Sequence, residues 1–145
     1  MNKTILSLIL LLNCTITFAC IIDPLSRTAQ DPKRSFENTD LVFLGKIIAF
    51  DDFTNIKQVV TFSIDKTFKG PELSSVTIDN MMGNSCSRAF IEKGTSYYVF
   101  AVLNKGTGNY TIEKLASFVP IKLAEEHGMS LNKLITRRSS GTNNP

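Results

Sequence analysis

Three cysteines carry the most specific chemistry in the 145-residue chain: Cys14, Cys20 and Cys86. Cys14 lies inside the apolar run Ile5–Thr17, which follows Met1-Asn-Lys3 and precedes Phe18-Ala19. Charged start, apolar middle and small residue are the order of a cleavable export signal, so residues 1–19 are expected to leave and Cys20 to become the mature amino terminus. The run is interrupted by Asn13, Cys14 and Thr15 and falls short of the ~20 apolar residues a spanning helix needs. Cys20 and Cys86 then meet an oxidising compartment, where a disulfide persists. Pairing them closes a long loop, stabilising the fold by about 4 kcal/mol in the chain-entropy model; two free thiols are the alternative. Thr17-Phe18-Ala19-Cys20 also reads as a degenerate lipobox, in which case Cys20 is lipidated, neither disulfide nor free amine forms, and the protein is anchored to the cell envelope.

The remaining reactive side chains do not assemble into a catalyst. His127 is the one histidine and sits beside Glu125, Glu126 and Gly128, a setting for a solvated helix end. With one histidine and two mature cysteines, the usual four-ligand zinc sites cannot be filled from this chain. Asp51-Asp52 and Glu125-Glu126 are adjacent pairs, and neighbours on a strand end or helix do not converge on one substrate atom. Gly106 and Gly108 flank Thr107 in a turn between strands, without the helix that a phosphate-binding loop opens. The chain is therefore expected to be no enzyme and to hold no cofactor. Removing Lys3 leaves 15 basic against 13 acidic residues, a net charge of +2, too small to argue for nucleic acid. Tyr97, Tyr98 and Tyr110 lie in apolar runs and suit packing better than base stacking. Asn109-Tyr110-Thr111 matches a glycosylation sequon, relevant only in a eukaryotic source.

The elements that must position Cys20 and Cys86 are strands. Residues 21–37 are polar and interrupted by Pro24 and Pro32, reading as an irregular lead-in. Leu41–Phe50 (LVFLGKIIAF) forms a first strand with Gly45 at a bulge or kink. Lys57–Phe68 alternates, with Val60, Phe62 and Ile64 on one face and Thr61, Ser63 and Asp65 on the other. Ser75–Asn80 is a short third strand, and residues 81–87 are a loop carrying Cys86. Ser96–Leu103 (SYYVFAVL) is apolar almost throughout, as a strand covered on both faces requires. Tyr110–Ser117 is a fifth strand, and from Pro120 onward Leu123, Leu131, Leu134 and Ile135 line a helix broken near Gly128. The basic, then Ser/Gly/Asn-rich tail 137–145 has the composition of a disordered segment. The fold class predicted is mainly β: a five-stranded Greek-key barrel of the oligonucleotide/oligosaccharide-binding (OB) type with a C-terminal helix, in one domain over residues 20–136.

With the amino terminus at Cys20, the chain from Cys20 to about Ser117 resembles the netrin-like domain of the tissue inhibitors of metalloproteinases, in the reduced form found in some bacterial proteins. The resemblance rests on Cys20 followed by Pro24, the block Phe36-Glu-Asn-Thr-Asp40-Leu-Val-Phe43, the strand end Asp65-Lys-Thr-Phe-Lys-Gly70, loop cysteine Cys86, and Gly94-Thr-Ser-Tyr97-Tyr-Val. It implies a Cys20–Cys86 disulfide and an inhibitory ridge of Cys20, Ile21, Ile22, Ser85 and Cys86. By resemblance, the α-amine and carbonyl of Cys20 chelate the zinc of a target metalloproteinase and Ile21 enters its specificity pocket. Ile22 and Glu37 stand where the animal inhibitors carry further cysteines, Ser85 replaces an apolar contact residue, and no cysteine-rich second domain follows Ser117. The resemblance thus implies a monomeric, secreted or periplasmic inhibitor whose partner is a zinc metalloproteinase, with membrane contact only if Cys20 is lipidated. The alternative is a non-inhibitory envelope binding module on the same fold.

Overall fold

The computed structural model describes residues 31–52, 56–83, 88–112, 118–129 and 131. Six strands, β1 (Leu41–Phe50), β2 (Lys57–Lys69), β3 (Ser75–Met81), β4 (Ser96–Leu103), β5 (Tyr110–Ile112) and β6 (Phe118–Pro120), lie between the short helices α1 (Pro32–Glu37) and α2 (Ile121–Glu126). The hydrogen-bonded order β1-β2-β3-β5-β4 closes on itself through a β1–β4 pairing. All neighbours are antiparallel except β3 and β5, and the result is a closed five-stranded barrel of OB type. Strand β6 adds to the edge of β4 along Tyr97–Val99, where β5 no longer pairs.

Alternation along the strands sets the core. Leu41, Phe43 and Ile47 of β1, Val60 and Phe62 of β2, Ile78 of β3 and Val99 and Ala101 of β4 point inward and are fully or almost fully buried. Intervening residues of β1, β4 and β6 point outward, yet Val42, Phe100 and Val119 are buried too, under Phe36 of α1, Ala124 of α2 and Leu131. Covering both faces explains the apolar run of β4. Ring pairs fill the interior edge to face, with Phe43 5.4 Å from Phe62 and Phe62 5.5 Å from Phe90.

Gly45 marks an irregularity in β1, as its sequence position predicts. The β1–β2 register shifts at Leu44/Gly45, and a Cβ there would stand 2.6 Å from the Ser63 carbonyl oxygen.

One expectation needs correction. Residues 32–37 form α1 instead of an irregular lead-in: Pro32 sits in the first turn, where its missing N–H leaves no helical bond unmade. Of the expected strand Tyr110–Ser117, Tyr110–Ile112 is β5 and residues 113–117 lie outside the described residues; β6, from Phe118, was not expected. Helix α2 ends before Gly128, at φ +60, and the continuation through Leu134 and Ile135 lies outside the described residues, as does the 137–145 tail. Among the described residues, no helix is long and apolar enough to cross a membrane.

Candidate functional site

The β1–β2 and β3–β4 connections meet at one end of the barrel. Asp51 closes the first: its N–H donates to the Val59 carbonyl at 3.1 Å, and its Oδ1 accepts from the Val59 N–H at 2.6 Å. One member of the first acidic pair is thus a hairpin fastener. The β3–β4 connection leaves alongside Ile56, whose carbonyl accepts the Met82 N–H at 2.7 Å. It returns beside β1, where the Gly94 N–H donates to the Ile47 carbonyl at 2.8 Å and the Ile47 N–H donates to the Thr95 carbonyl at 3.1 Å.

Phe90, 1% exposed, plugs this end from the connection itself. Its ring lies 4.4 Å from Phe118 and 5.2 Å from Tyr97. Burial, and secondarily the negative charge of Glu92, hold the Tyr97 phenol above its usual pKa.

Beneath the plug lie two buried amides that the sequence reading did not single out. Gln58 and Asn80 are cross-strand partners on the inward faces of β2 and β3, 1% and 2% exposed. Gln58 Nε2 donates to the Phe90 carbonyl at 2.8 Å, while its Oε1 accepts the Phe90 N–H at 2.9 Å. Asn80 Nδ2 donates to the Arg88 carbonyl at 2.9 Å, with Gln58 Oε1 at 3.4 Å and Met82 Sδ at 3.6 Å. The available signal was phase: Gln58 precedes Val60 and Phe62, and Asn80 follows Val76 and Ile78, at the strand period of two.

Three large apolar side chains stand exposed around the same connections: Ile48 at 50%, Ile56 at 68% and Ile91 at 79%. Lys93 places its ammonium 5.7 Å from the centre of the Phe50 ring nearby.

The five residues expected to form the ridge, Cys20, Ile21, Ile22, Ser85 and Cys86, all lie outside the described residues. On their C-terminal side the described chain resumes at Arg88, and Gln58 and Asn80 hold the backbone of Arg88 and Phe90. His127 is exposed just past α2, the solvated helix end expected. Gly106 and Gly108 lie in the β4–β5 turn, where Asn104 accepts backbone N–H groups of Gly106, Thr107 and Gly108. Tyr97 and Tyr110 pack on the barrel core, and Tyr98 lies 5.9 Å from Phe68, so packing accounts for all three tyrosines. Among the described residues, no group of three or more His, Cys, Asp or Glu side chains converges to hold a metal.

No protein-family model and no curated protein matches the chain.

Proposed function

We propose that this chain is an inhibitor of zinc metalloproteinases similar to the tissue inhibitors, exported to the periplasm or beyond the cell and acting as a monomer through its mature amino terminus at Cys20. The observation that carries this reading is the closed OB-type barrel, whose buried amides fasten Arg88 and Phe90, just after Cys86, to its core. An inhibitor of this kind needs a rigid ridge, because ordering a flexible one on binding would consume much of the interaction energy. The eleven residues 20–30 extend up to about 36–40 Å. Ten-residue β1 is about 33 Å long, so Cys20 has enough chain to reach the loop end from α1.

In this mechanism Cys20 is disulfide-bonded to Cys86 and presents its α-amine and carbonyl to the target's zinc. An α-amine with a pKa near ~8 is partly neutral at pH 7 and gives up its remaining proton on binding metal. Ile21 enters an apolar pocket, Ile22 and Ser85 complete the ridge, and Ile48, Ile56 and Ile91 offer apolar contacts around it. The zinc belongs to the partner, and the inhibitor needs no cofactor of its own.

Mass mapping of the native mature protein tests this reading. A free amine on Cys20 with a Cys20–Cys86 bond is the expected state; a diacylglyceryl group on Cys20 would overturn it. The exposed isoleucines also favour a second reading, an envelope binding module that holds its partner through the loop end alone. That reading predicts binding indifferent to any residue added before Cys20.

A further inference from the structure

We propose that the outer wall of the barrel carries a separate binding site, a row of residues centred on Lys46, and that its ligand is a uronic-acid polysaccharide. The site uses no residue of the amino-terminal ridge.

Four strands contribute to the row. Lys46 of β1 faces Ser63 of β2 on one side and Ser96 of β4 on the other, and Ser63 in turn faces Ser75 of β3. Each adjoins a residue that packs inside the barrel, namely Ile47, Phe62, Tyr97 and Val76, so strand alternation turns all four outward. Facing side chains in such a row stand about 5 Å apart at their Cβ atoms. Lys46 and Ser75 are exposed, and Ser63 and Ser96 are half-buried. Among the described residues Lys46 makes no ion pair and the three serine hydroxyls make no hydrogen bond. The next outward pair, Thr61 and Thr77, is instead bonded to itself at 3.1 Å. An ammonium between two unengaged hydroxyls is a donor set for a carboxylate, with one charge-assisted bond from Lys46 and a neutral one from either serine.

One outward step along the same strands, Leu44 faces Lys66 and Tyr98. Tyr98 and Phe68 are half-buried with ring centres 5.9 Å apart, and the Lys66 ammonium lies 5.0 Å from the Phe68 centre. A chain of acidic sugars supplies both parts: a carboxylate for Lys46, and C–H groups for the aromatic pair about 7 Å further along β4. Asp65, exposed at the β2 bulge between the two rows, accepts sugar hydroxyls and repels a bare anion. An acidic peptide is less suited, because β1 is paired on both sides and offers no edge to extend.

The test titrates the mature chain with a short oligogalacturonate, following affinity by calorimetry and the site by backbone amide shifts, with neutral maltohexaose and polyglutamate as comparisons. Oligogalacturonate is expected to bind and to shift Lys46, Ser63, Ser96 and Tyr98, and maltohexaose to leave them unmoved. Lys46→Gln should weaken binding about tenfold or more, whereas Lys105→Gln, in the β4–β5 turn, should change it by less than about threefold, with thermal midpoints unaltered in both. No binding of oligogalacturonate, or equal losses in the two lysine variants, would overturn the site. Polyglutamate bound as tightly at the same residues would overturn the class of ligand.

Discussion

The two ends of the barrel are finished in different ways. At the end where α1 enters, backbone is fastened to nearby backbone and to charged side chains. Asp40 donates its N–H to Ala101 at 2.9 Å and accepts the Leu103 N–H at 2.8 Å. Lys69 donates to the Phe36 carbonyl at 2.7 Å and lies 5.4 Å from the Phe36 ring centre. Gly70 turns at φ +96 against the Asp40 carbonyl. The opposite end is plugged by Phe90, clamped by buried amides and ringed by Ile48, Ile56 and Ile91, whereas the one exposed large apolar residue described at the α1 end is Leu103, at 37%. A protein that only needed closing could use the first device twice. Under the proposed function, fastening a loop from inside while leaving aliphatic side chains outside serves to present a binding surface.

The comparison can be broken by mutation. The largest effect is expected midway between the ends, where Phe62→Ala removes a ring touching both Phe43 and Phe90. Urea unfolding should register a loss of about 3–5 kcal/mol. At the α1 end, Gly70→Ala must accept a positive φ and a Cβ 2.8 Å from the Asp40 oxygen. A loss of about 1–3 kcal/mol is expected in urea unfolding. At the loop end, Gln58→Met leaves the Phe90 N–H and carbonyl without their buried partner and should also cost about 1–3 kcal/mol. Hydrogen exchange should then accelerate first at Phe90 and its neighbours, before the strands.

A smaller effect concerns pH. Because the folded Tyr97 phenol titrates above its usual 10.0, the folded state holds its proton more tightly than the unfolded chain does. The associated stability is fully present below pH 10 and falls as pH rises from there through the raised value. Tyr97→Phe should remove that part of the alkaline decline in thermal midpoint. Smallest of all in stability is Ile91→Ser, expected within about 0.5 kcal/mol of wild type. Under the proposed function its inhibition of a zinc metalloproteinase should nonetheless weaken, which separates an exposed contact residue from the amides beneath it.

Most of the barrel was legible because strand alternation and turn residues agree. Val60, Phe62 and Ile64 share the period of β2, and β4 occupies the whole apolar run Ser96–Leu103. Helix α1 was missed because Pro32 was weighed as a breaker, although proline at a helix start forfeits no bond. Strand β6 was unreadable because three residues carry too little alternation to announce a strand. Gln58 and Asn80 were overlooked for a deeper reason: polarity argues for an outward position, and only pairing across β2 and β3 brings two inward amides together over the returning loop. The ridge stands on a resemblance alone, its residues lying outside the described ones, whereas the exposure of Ile56 and Ile91 depends on how the connections fold.

The central claim is that the amine of Cys20 acts at a target's zinc. Its most direct test titrates a panel of zinc metalloproteinase catalytic domains with the mature chain beginning at Cys20 and with the same chain carrying one added alanine before it. The account predicts inhibition by the first and a loss on the order of a hundredfold or more with the second, because the extension converts the chelating amine into an amide. Equal potency of the two forms, or inhibition by neither, would contradict it.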